Sequence, residues 1–319
     1  MNHKLILASN FTTLLLSISL LLVMNSAVSK ADDTQTLMIV GYDGKSWFPY
    51  IAKITKDKTI KSKDWNKIKT IRDPAYLTRQ PVSGNLYIKG NDGRLYHYRS
   101  KNKLLKPLFS NDKEIKLNNY TQLRANQKGL TMVELIEGKS RDTRLVYADS
   151  NDRSPTSSPL MRSLLKQASA QFHPLLTDKS LFYAHVSCRA VCSPIIQEVW
   201  KQEKVTGKAR QLTLLNATTY LHSVDNQERF GFISSNKRGY YHIAKLDLIS
   251  NKVVWLTQGQ VTDGYPSVSS NNDVYFIRRT PEGTKLMMVS SDKGNSKVKL
   301  HKITLPQGIK KIRYLELTN

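Results

Sequence analysis

The stretch Phe230-Gly231-Phe232-Ile233, with the turn Asn236-Lys237-Arg238-Gly239, the apolar run 243–248 and then Val253-Val254-Trp255-Leu256-Thr257, decides the fold. Alone it reads as three short strands joined by turns, with Asn and Gly where positive φ is needed. The same punctuation recurs four more times. Leu86-Tyr87-Ile88, Leu130-Thr131-Met132-Val133, Leu181-Phe182-Tyr183 and Val274-Tyr275-Phe276-Ile277 each open a unit. A second run follows each: Leu95-Tyr96-His97-Tyr98, Leu145-Val146-Tyr147, 195–200 and 286–289. Turn signals stand between the runs at Asn91-Asp92-Gly93, Gly138-Lys139-Ser140 and Pro281-Glu282-Gly283, and closing strands are expected at 104–109, 210–214 and 298–303. The step of roughly 44 to 50 residues is that of four-stranded propeller blades. A single blade cannot bury both of its faces, so the repeat predicts an all-β, six-bladed β-propeller of antiparallel four-stranded blades.

The sixth blade must come from the two ends of the chain. Upstream lie 37–42, 47–54 and a Lys-rich run through Ile60; downstream lies one strand, Ile312-Arg313-Tyr314-Leu315-Glu316-Leu317. Three N-terminal strands and one C-terminal strand would complete the ring and remove two exposed edges at once. The stretch 158–168 leaves two readings: the last strand of its blade, which the repeat favours, or a short helix begun at Pro159.

Residues 1–31 read as targeting. Lys4 precedes an uncharged stretch 5–28 with an apolar block 14–24, and Ser29-Lys30-Ala31 offers small residues for cleavage after Ala31. Retention as a membrane anchor is the competing reading, disfavoured by the polar residues within the stretch. The expected location is the periplasm or the exterior, with residues 32–319 forming one propeller domain. In that setting Cys188 and Cys192 would pair as a short local disulfide between strands.

Several segments resemble TolB-like propeller repeats. Val205-Thr206-Gly207-Lys208-Ala209-Arg210-Gln211-Leu212-Thr213 resembles the family's turn and outer strand, as does Leu246-Asp247-Leu248 with Asn251-Lys252-Val253-Val254-Trp255-Leu256-Thr257; Gly264-Tyr265-Pro266-Ser267-Val268-Ser269 resembles the start of a repeat. The family's Trp and Pro-Asp-Gly are replaced here by Val268 and by Ser270-Asn271-Asn272. The resemblance covers most of residues 72–290. It implies the propeller fold and carries no catalytic residue, because the family's shared residues are structural.

No Gly-x-Ser-x-Gly, His-Glu-x-x-His, calcium-loop or zinc spacing occurs. Gly41-Tyr42-Asp43-Gly44-Lys45-Ser46 only superficially evokes a phosphate loop and reads as a hairpin turn. No metal and no cofactor are expected. His173, His222 and Tyr265 sit near the starts of successive repeats, where a propeller lines its channel mouth, and are the candidate ligand-binding residues; the bland reading makes them ordinary turn residues.

Charge is the strong chemical signal, at a formal +24. Segment 53–72 holds Lys53, Lys56, Lys58, Lys61, Lys63, Lys67, Lys69 and Arg72 against Asp57 and Asp64, and segment 293–313 holds Lys293, Lys297, Lys299, Lys302, Lys310, Lys311 and Arg313 with no acid. Together they carry about half of the excess. The closing strand would bring them side by side as a basic wall able to attract anions. The expected function is a monomeric, non-catalytic interaction scaffold for an envelope protein or peptide. The alternative is binding of, or lyase or hydrolase action on, an anionic partner such as lipid, lipopolysaccharide or cell-wall polymer. Nucleic acid is not expected, since no stacking aromatics interleave with the lysines.

Overall fold

The computed structural model describes residues 34–54, 60–81, 83–110, 113–114, 122–127, 129–135, 143–149, 162–165, 170–188, 195–291 and 299–318. The targeting stretch, Lys56, Lys58, Lys297, Cys192 and the side chain of Cys188 lie outside them, and with these the expected disulfide. The described helices include none long and apolar enough to cross a membrane.

Why the opening runs are apolar at every position follows from where they lie. In a strand, successive side chains point to opposite faces. In this chain both faces are buried. Leu37 and Ile39 pack toward the sixth blade with Tyr275, Ile277 and Leu286, while their alternates Met38 and Val40 pack toward the second with Leu77, Leu86 and Ile88. Phe182 goes one way and Leu181 and Tyr183 the other. Phe232 and Ile233 split in the same manner. Each described apolar cluster thus fills one joint between neighbouring blades, and the six joints close a ring.

There are six four-stranded antiparallel sheets. The second blade is Tyr76–Arg79, Leu86–Lys89, Leu95–Arg99 and Leu104–Pro107; the fifth is Thr219–Val224, Phe230–Arg238, Tyr240–Asp247 and Val253–Trp255. The third, fourth and sixth follow the same meander. A small extra ribbon pairs Phe109–Ser110 with Lys113–Glu114. The first blade is composite, as the sequence predicts: Lys311–Thr318 is innermost, then Gln35–Tyr42, Trp47–Ile54 and Asn66–Lys67. Leu37 stands opposite Leu317, and Ile39 opposite Leu315.

Two expectations need correction. The outer strand of the first blade is Asn66–Lys67, paired with Ile51 and Tyr50, and not the Lys-rich run through Ile60. Ile60 and Trp65 instead anchor that segment by packing with Ile303, and the Trp65 indole donates to the Thr304 carbonyl at 2.9 Å. The closing strands are shorter than expected, Ala209–Gln211 and Val253–Trp255, because the next Leu-Thr pair turns inward. Leu212 and Leu256 are buried, and the hydroxyls of Thr213 and Thr257 accept the N–H groups of Val199 and Ile243 at 2.9 Å. Within 158–168, Arg162–Ser163 pairs with Tyr147 and Val146, which is the strand reading; 158–161 and 166–168 lie outside the described residues. Gly41 to Ser46 is a hairpin turn, with the Asp43 amide donating to the Ser46 carbonyl.

Candidate functional site: a closed channel beneath an open cavity

The innermost strands line the central channel; Lys311–Thr318 carries a register slip at Arg313, and three others carry a bulge. Register slips occur between Phe172 and Leu175, between Leu221 and Ser223, and between Gly264 and Ser267. The residues caught in these slips are His173, His222 and Tyr265. A bulge re-aims the side chain it carries, and all three rings turn into the channel. His173 and Tyr265 each hold a left-handed backbone, φ 51° and 57°, immediately before a proline. That conformation is uncommon for a bulky residue and persists only where packing over-determines it.

The three rings belong to a continuous arc. Tyr220 and His173 have centroids 4.2 Å apart, His173 and His222 6.0 Å, His222 and Tyr265 5.6 Å, Tyr265 and Tyr314 5.7 Å, and Tyr314 and Tyr76 5.4 Å. Five blades contribute, and the third supplies Gln122 and Arg124 to finish the circle. The Gln122 side chain contacts His173 Nε2 at 3.0 Å and accepts the His173 backbone N–H; His222 Nε2 meets Ser234 Oγ at 2.8 Å. The space left among these rings is a cavity of about 30 Å³, room for one or two waters. Sequence reasoning placed His173, His222 and Tyr265 at the channel mouth. The structure brings them together, but midway along the channel, where they close it.

Burial, and then the nearby Arg124 charge, push His173 down to about 3; burial, His173 and Arg124 hold His222 well below the usual imidazole range. Burial likewise raises the phenols of Tyr76, Tyr220 and Tyr314. At neutral pH the imidazoles of His173 and His222 are therefore uncharged and hydrogen-bonded, with the Arg124 guanidinium the cation beside them.

On one side of the plug the channel widens into a cavity of about 660 Å³. Its rim is formed by turns that join innermost to second strands, among them Asn126, Asp178, Lys179, Asp225 and Asn226. Leu175, Leu176, Val224, Val268 and Leu317 form apolar walls. The floor is an ion pair. Glu316, 1% exposed, accepts from the Thr78 hydroxyl, the Arg79 N–H and the Tyr314 hydroxyl, each at 3.0 Å. Arg124 approaches it only to 3.7 Å. Arg124, Lys179 and Lys204 are met by Asp178, Asp225, Glu228 and Glu316, so the excess positive charge of the chain is not concentrated here.

The two basic segments meet through the Trp65–Thr304 contact, and some of their described cations gather at the hairpin end of the first blade, where Lys67 reaches Asp43 and Lys310 lies against Gly44, while others lie away from it. Tyr42 stands opposite Lys311, and Lys310 lies against Gly44, both at the hairpin end of the first blade; Lys53 stands opposite Thr36, toward the other end. Lys61 begins the short turn at Ser62–Asp64, Lys69 follows the strand Asn66–Lys67, Lys302 sits exposed on the outer strand Leu300–Ile303, and Lys299 precedes that strand. Lys67 is engaged by Asp43 at 2.8 Å and lies 3.5 Å over the Phe48 ring.

Sequence reasoning missed Gln122, Arg124 and Glu316. A signal existed for Gln122: it lies eight positions before Leu130, as His173 does before Leu181 and His222 before Phe230. Glu316 lies on the strand donated by the far end of the chain, so no local spacing connects it to Thr78.

The fold defined by this closure and channel is that of a six-bladed β-propeller. No family model and no curated protein matches the sequence. Solved structures do match in fold. TolB from Acinetobacter baumannii superposes with a TM-score of 0.66 at 11% identity, covering 89% of this chain and 66% of that one, so this chain spans just under two thirds of that TolB. A putative TolB from Agrobacterium tumefaciens gives 0.57 at 11% identity, covering 90% and 98%. A chain of a nidogen/laminin complex gives 0.58 at 10% identity, also covering 90% and 98%.

Proposed function

We propose that this chain is an exported, non-catalytic propeller that docks an extended segment of an envelope protein or peptide in its wide cavity. The observation that carries the reading is a wide cavity that adjoins a closely packed ring cluster. The cavity of about 660 Å³, the size of ordinary ligand sites, lies beside neutral histidine rings. That arrangement suits a socket. Its lining mixes aliphatic walls with the carboxamides of Asn126, Gln127, Gln202 and Asn226, groups that pair readily with a peptide backbone. Matches among TolB structures and a propeller solved in a nidogen/laminin complex support interaction as the task. The leading apolar stretch supports export.

The alternative reading, an enzyme on an anionic polymer, has less support. An imidazole depressed to about 3 is a poor proton acceptor at neutral pH, and both plug histidines already engage Nε2 within the protein. The basic lysines around the first blade would act instead as a steering surface, whose contribution falls as salt rises.

The test is site-specific photo-crosslinking of the full chain in the cells that make it. Crosslinkers at Lys179 and Asn226 on the cavity rim should give a discrete adduct, and crosslinkers at the exposed Leu214 and Tyr240 should not. Adducts from Leu214 and Tyr240 alone would overturn the reading.

A further inference from the structure

We infer that Arg124 is the anchor of this cavity and that it binds a carboxylate of the docked peptide, so that the socket selects acidic or chain-terminal segments. The inference rests on the docking reading above and specifies its chemistry.

Three observations lead to it. First, the guanidinium has five N–H donors in a fixed fork, yet among the described residues nothing accepts a hydrogen bond from it. Its ion-pair partner Glu316 stands 3.7 Å from Nε, beyond hydrogen-bond distance. Second, Glu316 does not need Arg124 for its hydrogen bonds. Its two oxygens are already engaged by Thr78, Arg79 and Tyr314, which hold the carboxylate in place and leave the arginine fork unspent. Third, Arg124 is placed to meet a ligand. Its side chain is 21% exposed, it lines the wide cavity, and it also touches the plug. A cation mostly removed from water gains most from a bidentate, charge-assisted partner, and a carboxylate matches the fork. Lys179 and Lys204 at the mouth are point charges on flexible stems, suited to attraction rather than to orientation.

A uronic-acid saccharide would present the same carboxylate. It would also call for exposed aromatic platforms, and among the described residues the cavity lining contains one aromatic, Tyr147, which is 4% exposed. The aliphatic walls and the carboxamides favour a peptide.

The experiment selects ligands for the full chain from random dodecapeptide libraries displayed with a free N-terminus and with a free C-terminus. Selected peptides are then synthesised with each acid replaced by its amide. Binding is measured on the native protein, on Arg124→Gln, on Arg124→Lys and on the double variant Arg124→Gln/Glu316→Gln, which removes both charges together so that no buried carboxylate is stranded. A Lys179→Trp/Asn226→Trp variant narrows the cavity mouth.

The expected result is a shared carboxylate position in the selected peptides. Its amide should lose about 10- to 100-fold in affinity on the native protein and little on the double variant. Arg124→Lys should recover only part of the loss. Loss with side-chain amides identifies an Asp or Glu, and loss with the terminal amide identifies a chain end; either supports the inference. Peptides that compete at the narrowed mouth but bind the double variant as tightly as the native protein would overturn the role of Arg124 and leave the socket standing. Peptides indifferent to the narrowed mouth, or no selection from either library, would overturn the docking reading and the anchor with it. Preferential binding of oligogalacturonate, run as a competitor, would overturn the choice of a peptide.

Discussion

The hydroxyl of Thr78 donates to Oε1 of Glu316 at 3.0 Å, joining the innermost strands of the first and second blades across 238 positions of sequence. Thr78 also accepts the N–H of Ala125 at 2.9 Å, which extends the link to the third blade. Similar side-chain staples continue around the channel. Ser267 accepts the Leu317 N–H and Ser223 accepts the Val268 N–H, at 3.0 and 3.3 Å. Innermost strands of neighbouring blades are thus fastened side chain to backbone, since they do not pair with one another.

Glu316→Ala should therefore be among the most damaging single changes. It strands the Thr78 and Tyr314 hydroxyls, the Arg79 amide and the Arg124 charge, at a cost of about 3 to 5 kcal/mol. Glu316→Gln, which keeps one acceptor oxygen, should cost less. Urea unfolding monitored by tryptophan fluorescence measures both; an alanine variant within about 0.5 kcal/mol of the parent would refute the keystone role.

Gly231 lies in the strand that decides the fold, and a Cβ there would stand 2.6 Å from Leu221 Cδ1 and 3.2 Å from Leu248 Cδ2. Both leucines are nearly fully buried and packed in one cluster, so neither can yield freely. Gly231→Ala is expected to destabilise by about 1 to 3 kcal/mol through overpacking. A thermal melt unchanged from the parent would show that the joint between the fourth and fifth blades is looser than described.

Thr257→Val keeps the shape of the Leu-Thr pair but removes the acceptor for the Ile243 N–H. Leaving that amide unpaired should cost about 1 to 3 kcal/mol. Thr213→Val should behave alike, with an added loss because the Thr213 hydroxyl also donates to buried Glu198. Amide exchange at Ile243 and Val199 reads the effect directly, and no acceleration there would count against it.

The plug gives the protein an acid-sensitive term. Folding favours the neutral forms of His173 and His222, whereas in the unfolded chain they titrate near 6.5. Their contribution is intact above that pH. As pH falls below it the unfolded chain binds more protons, so stability is lost, by up to about 2 kcal/mol per histidine at pH 5. Arg124 adds repulsion to each imidazolium, while Glu316 and the tyrosines Tyr76, Tyr220, Tyr265 and Tyr314 complete the surroundings. His97, held near 4 by burial, and His242, also lowered, contribute to the same window, so the measurement is the difference made by His173→Gln and His222→Gln. Identical slopes between pH 5 and 6.5 in parent and variants would sink the assignment.

Removing 311–318 should open the ring. It exposes the edge of Gln35–Tyr42, removes Leu315 and Leu317 from the joint with the sixth blade, and takes away Glu316. The truncated chain is expected to lose its sharp unfolding transition and to self-associate through the free edge. A monomeric, cooperatively unfolding product on gel filtration and calorimetry would argue against closure as a source of stability.

The strands and their count were legible because each blade is buried on both faces. That burial forces uninterrupted apolar runs such as Val274-Tyr275-Phe276-Ile277, and turn residues must separate them. The closing strand was legible by arithmetic, since the ends of the chain left one blade short. The Leu-Thr pairs were visible as a repeat, although their task of capping the neighbouring strand was not. What only the tertiary structure decided was direction and depth. The bulges at His173, His222 and Tyr265 turn those rings inward because the register slips there, and register is a property of the paired strand rather than of the residue. Arg124 and Glu316 face one another across three blades because the ring closes, at a separation in sequence that no local spacing encodes.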